Sequence, residues 1–155
     1  MKAWHEWQVT THTPEDTERL GANVGARLRG GEVVELVSDL GGGKTTFVRG
    51  LAKGAGSRDH VTSPSFTIGQ EYTAGDLVLY HFDFYRLQEA GVMEDELAEA
   101  AGDPHGAVIV EWGNIVRHVL PEGSLIIEIQ ATGETERKIT FTYLEDRAYL
   151  VPKEV

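Results

Sequence analysis

The chain has 155 residues, 41% of them hydrophobic and 25% charged, with no cysteine. That size suits one compact domain (1–155), and the composition excludes a disulfide framework, a thiolate metal site and a disordered chain. With 14 basic and 25 acidic side chains the net charge is −11, which opposes sequence-independent attraction to phosphate backbones and points to partners with basic surfaces.

No run reaches the roughly 18 apolar residues of a membrane span, and MKAWHEWQVTTHT has acidic and polar residues where a secretory leader is apolar. A cytoplasmic protein is expected, with no membrane attachment and no strong direct grip on nucleic acid. The first element predicted is a helix over 14–29, with Thr13 as N-cap, Pro14 at the first helical position and Asp16 near the capping-box place. Leu20, Val24 and Leu28, spaced by four, would form its buried stripe.

VVELV at 33–37 is a β-branched run between glycines and predicts a buried strand, followed by a helix over 44–55. Between them lies SDLGGGKTT, residues 38–46, in the strand–turn–helix setting of a phosphate-binding loop. Gly41, Gly42 and Gly43 let backbone N–H groups turn inward on an anion, and the positive end of the helix dipole adds to the attraction. Lys44 would reach the β and γ phosphates, and the Thr45 hydroxyl is placed to coordinate a Mg²⁺ that bridges them. Ser38 stands where the strict loop pattern asks for glycine. The bland alternative is a glycine-rich turn with an incidental lysine.

Further strands are predicted at 66–72, 77–83, 107–111, 125–130 and 138–143, with a helix over 89–101. HVTSPSFT, residues 60–67, puts the hydroxyls of Thr62, Ser63 and Ser65 around Pro64, which suits either a sensor of the γ phosphate or an ordinary polar turn. LVLYHFDFYR delivers Asp83 near the carboxyl end of its strand, where a carboxylate can hold Mg²⁺. Alternation puts His81 and Asp83 on one face and Phe82 on the other, and His81 reads equally as a core residue or a site residue. AVIVEW ends its strand at Glu111, which could orient a water or join the magnesium shell, while Trp112 reads by default as packing. Helices and strands interleave early and strands crowd together late. The expected fold is therefore α/β, a single P-loop NTPase-like domain with a mixed central sheet flanked by helices.

In order, DLGGGKTTFVRGLA, VTSPSFT, LYHFDFYRL and VIVEW resemble the TsaE (YjeE) family of bacterial tRNA threonylcarbamoyladenosine synthesis, over residues 9 to 140. The resemblance implies an ATPase with ATP and Mg²⁺ as cofactors, slow alone and acting on two protein partners, TsaB and TsaD. It implies that Asp39, Leu40, Gly41, Gly42, Gly43, Lys44, Thr45 and Thr46 bind ATP phosphates, with Thr45, Asp83 and Glu111 at the metal and Lys44, Asp83 and Glu111 at the reaction. It assigns the switch to Ser63, Pro64 and Ser65, and the adenine side to stretches that here hold Thr13 and Arg137. Gly42 replaces alanine, Ser65 threonine and Gly113 a frequent proline of the family pattern.

Three rivals remain. A small-molecule P-loop kinase would need an acceptor pocket and an arginine-rich lid, neither evident. A GTPase finds a D-x-x-G match at 103–106, but in a turn and without the guanine motif. A nucleotide-sensing module with incidental hydrolysis has the same groups, because a sequence does not give a rate.

Overall fold

The computed structural model describes residues 3–38, 43–61, 69–84, 93–112 and 117–155. Among them, the strands are β1 (Trp4–Thr11), β2 (Val33–Val37), β3 (Gly69–Ala74), β4 (Leu77–Asp83), β5 (Gly106–Glu111), β6 (Leu125–Ala131) and β7 (Arg137–Leu144). The helices are α1 (Pro14–Gly25), α2 (Lys44–Ala55) and α3 (Glu94–Ala101). One seven-stranded sheet has the order β1-β7-β6-β2-β5-β4-β3. β2 runs parallel to β5 and β6, and β4 parallel to β5, while β1, β3 and β7 pair antiparallel. The sheet is mixed and flanked by helices, as expected.

Two apolar layers cover it. Leu20 and Val24 of α1 and Phe47, Val48 and Leu51 of α2 pack on Val34, Leu36, Leu79, Ile109, Leu125 and Ile127 of one face. Leu97 and Ala100 of α3 pack on Val33, Phe82, Val108 and Val110 of the other. Alternation along each strand sorts these side chains, and it puts His81, Asp83 and Glu111 on the α2 face.

α1 begins where predicted: Pro14 is in its first turn and the Asp16 amide donates to Thr13 Oγ1 at 3.1 Å. It ends at Gly25 rather than 29, because the amides of Arg27 and Leu28 turn to the carbonyls three residues back. Leu28 still packs, half-buried, against the larger layer. β3 extends to Ala74 and returns through a tight turn at Gly75, φ 62, so that Ala74 pairs with Leu77. Residues 66–68 of the predicted strand and 89–92 of the predicted helix lie outside the described residues. β1 was not predicted. It is a mostly exposed edge strand held on β7 by the full Trp4–Thr11 register, with Trp7 against Phe141 at 5.3 Å between ring centroids.

Candidate functional site

β2, β4 and β5 are mutually aligned and parallel, so their carboxyl ends open at one edge of the sheet, and Glu111 pairs in register with both Leu36 and Asp83. Ligands of open α/β sheets bind at such an edge. Across it, α2 starts at Lys44 with Gly43 as its N-cap, at φ 103, in the left-handed region that favours glycine. A Cβ on Gly43 would lie 3.6 Å from Nε of Arg137.

The Lys44 side chain is 8% exposed. Its ammonium lies 3.4 Å from the Ser38 carbonyl oxygen, 3.9 Å from Glu111 Oε1 and 4.4 Å from the centre of the Trp112 ring. Charge-assisted N–H···O bonds run at about 2.7–2.9 Å, so these are three loose contacts, and a closer acceptor would be preferred to any of them. Trp112 reaches this place through a positive φ of 58, unusual for a residue other than glycine. The turn lays its ring against the lysine, beyond the packing role expected of it. Thr45 and Thr46 follow, half-buried, on the first turn of α2.

Glu111 is 3% exposed, and its Oε2 accepts a 2.6 Å hydrogen bond from Nε2 of fully buried His81. The other ring nitrogen lies 3.4 Å from the Tyr72 hydroxyl, which donates to Gln70 Oε1. A buried carboxylate without partners would cost several kcal/mol. Here a polar chain runs from Gln70 and Tyr72 on β3 through His81 on β4 to Glu111 on β5 and on to Lys44. His81 is thus a buried residue and a partner of a predicted site residue at once. Asp83, half-buried, stands beside Glu111 in the β4–β5 register, and the Phe84 amide donates to the Glu111 carbonyl at 3.0 Å.

The remaining predicted positions gather at the β1–β7 end. Thr11 pairs with Arg137, whose Nη1 donates to the carbonyls of Gly133 at 3.0 Å and Glu136 at 2.9 Å. His12 Nδ1 lies 3.3 Å from Glu136 Oε2, so the segment leading to exposed Thr13 adjoins the 133–137 turn. Arg137 in turn borders Gly43. Asp39, Leu40, Gly41 and Gly42, and the switch residues Ser63, Pro64 and Ser65, lie outside the described residues.

The model of the family described as "Threonylcarbamoyl adenosine biosynthesis protein TsaE" matches residues 11–139. The chain belongs to the TsaE family. It is 40% identical over 149 residues to the tRNA threonylcarbamoyladenosine biosynthesis protein TsaE of Bacillus subtilis, covering 94% of this chain and 90% of that one. It is 39% identical over 133 residues to the protein of the same name from Treponema pallidum, covering 86% and 98%. The crystal structure of Bacillus subtilis YdiB superposes with a TM-score of 0.76 at 36% identity, over 97% of this chain and 94% of that one.

Two features off the TsaE motifs qualify the sequence reading. The D-x-x-G match is a structural turn at the opposite end of β5: Asp103 accepts from the Tyr80 hydroxyl at 2.7 Å and from the His105 amide at 2.9 Å. Those bonds, Tyr80's first, hold the Asp103 carboxyl below its ordinary range. Glu35, inside the VVELV run, is a buried carboxylate that sequence reasoning passed over, and it accepts from Arg117 Nη2 at 2.6 Å. A charged residue amid four apolar ones was the signal for it.

Proposed function

We propose that this protein binds and hydrolyses Mg-ATP and, through a nucleotide-dependent switch, serves tRNA N6-threonylcarbamoyladenosine formation by acting on TsaB and TsaD. The observation that carries the reading is the buried, loosely held ammonium of Lys44 at the start of α2, facing Glu111 and Trp112 where the parallel strands end. Membership of the TsaE family supplies the pathway.

The residues present fit the nucleotide and its metal. Lys44 offers three donors to phosphate oxygens, and the N-terminus of α2 adds its first amides and positive dipole end. Thr45, Asp83 and Glu111 are the hard oxygen donors that Mg²⁺ takes. When bound, Mg²⁺ would supply positive charge against the charge that develops on the phosphate oxygens. Lys44 neutralises the same oxygens from the helix side, Glu111 orients water from the strand side, and Arg137 beside Gly43 adds positive charge at the loop. The segment from Ser63 to Ser65, lying in sequence between the two phosphate motifs, is the proposed switch.

A sensing module with incidental hydrolysis is favoured by one observation: both oxygens of Glu111 already face other groups, His81 and Lys44. The switch assignment is tested by measuring the association of Ser63→Ala/Ser65→Ala with TsaB and TsaD, with and without ATP. The double variant should lose the ATP dependence of binding. Association as ATP-dependent as the wild type's would remove these residues from the role.

A further inference from the structure

We infer that His81 is a positioning residue that holds the Glu111 carboxylate away from Lys44 and thereby keeps the lysine available to phosphate. The inference rests on the nucleotide reading above and adds a residue that the motifs left undecided. Two donors compete for one buried carboxylate: His81 holds Oε2 at 2.6 Å, and Lys44 stands 3.9 Å from Oε1. An ammonium and a carboxylate this deeply buried attract strongly, because little water screens them. Rotation of the carboxylate about its side-chain torsions would close that gap to a tight ion pair.

What resists rotation is the bond to a ring that itself cannot move. His81 is completely buried, and its other nitrogen faces Tyr72, whose hydroxyl is engaged by Gln70. Tyr72 lies at 6.1 Å from the His81 ring, centroid to centroid. Orientation of a ligating group by a hydrogen-bonded neighbour is a common device, and its loss typically weakens binding about 10–100-fold. Here the lysine, paired tightly to Glu111, would have to break that pair before it could meet a phosphate.

The test uses the full chain and metal-free ADP, so that binding is read without turnover. The amide nitrogen of asparagine falls near the Nδ1 position of histidine, and that of glutamine near Nε2. His81→Asn therefore keeps a polar group toward Tyr72 but loses Glu111, and His81→Gln reaches Glu111 again. ADP affinity by calorimetry should fall about tenfold in His81→Asn, return to within about threefold in His81→Gln, and return likewise in His81→Asn/Glu111→Gln, where no carboxylate charge is left to capture Lys44. Glu111→Gln alone should bind ADP at least as tightly as the wild type, which tests the same claim with position 81 intact. Wild-type affinity in His81→Asn, a loss that the second substitution does not repair, or weaker binding by Glu111→Gln would overturn the inference. If Lys44→Ala binds ADP as the wild type does, or neither binds it, the nucleotide reading fails and the inference with it.

Discussion

Lys44 and Glu111 face each other, 3.9 Å apart, at the carboxyl edge of the parallel strands. Each is buried, each is charged, and neither makes a tight bond to the other. Lys44, Asp83 and Glu111 were legible in the sequence because each marks the end or start of a strongly patterned element. The bond from His81 to Glu111 was not, since 30 residues separate the two and only the parallel register of β4 on β5 brings them together. Thr45 carries a prediction at this scale. Thr45→Ala removes one hard oxygen from the first turn of α2 without touching the lysine. ATP should still bind, but the gain in affinity on adding Mg²⁺ should shrink about tenfold, and an unchanged Mg²⁺ effect in titrations would take Thr45 out of the metal site.

The placement of α2 depends on α1. Gly21 and Gly25 on α1, and Gly50 and Gly54 on α2, sit where a Cβ would fall 1.9 to 2.3 Å from a carbonyl oxygen of the facing helix. Four glycines in two helices cost helix propensity, on the order of 1 kcal/mol each, and permit the close approach that seats Leu20, Val24, Phe47 and Leu51 in one layer. Gly50→Ala would put a methyl on the Glu18 carbonyl, and overpacking of this kind costs about 1–3 kcal/mol. Denaturant unfolding should show a midpoint lowered accordingly, and a midpoint equal to the wild type's would contradict the close crossing. Leu20 and Val24 marked the buried face of α1, but the glycine pairs that press it onto α2 carry no apolar signal. β1 escaped for a related reason. An edge strand with one half-buried face shows only Trp7 and Val9 of an alternation, and its pairing is written in β7, more than 120 residues away in the chain.

Across the whole molecule, the net charge of −11 opposes sequence-independent attraction to phosphate backbones. The far end of the chain also closes on its start. The 3-10 turn over Glu145–Leu150 places the Tyr149 hydroxyl on Glu32 at 2.6 Å, with the Arg29 guanidinium 3.9 Å over the ring. Burial first, then the bond to Glu32, pushes the Tyr149 hydroxyl from 10.0 up to about 12. A raised folded value means stability that is whole below the unfolded value and is lost as pH climbs through the folded one. Thermal unfolding should therefore show stability falling between about pH 10 and 12. Tyr80, raised to about 12 by its bond to Asp103, contributes in the same window. Tyr149→Phe should flatten part of that fall, and an alkaline profile unchanged by the substitution would exclude the latch as its source.

A partner-coupled ATPase built on Lys44 must show itself in its turnover. Steady-state Mg-ATP hydrolysis, measured on the protein alone and with TsaB and TsaD, tests it most directly, with Lys44→Ala as the blank. Turnover should be slow alone and faster with the partners, and both rates should be lost in the variant. Tight ATP binding with no turnover in either condition, or turnover that survives Lys44→Ala, would contradict it.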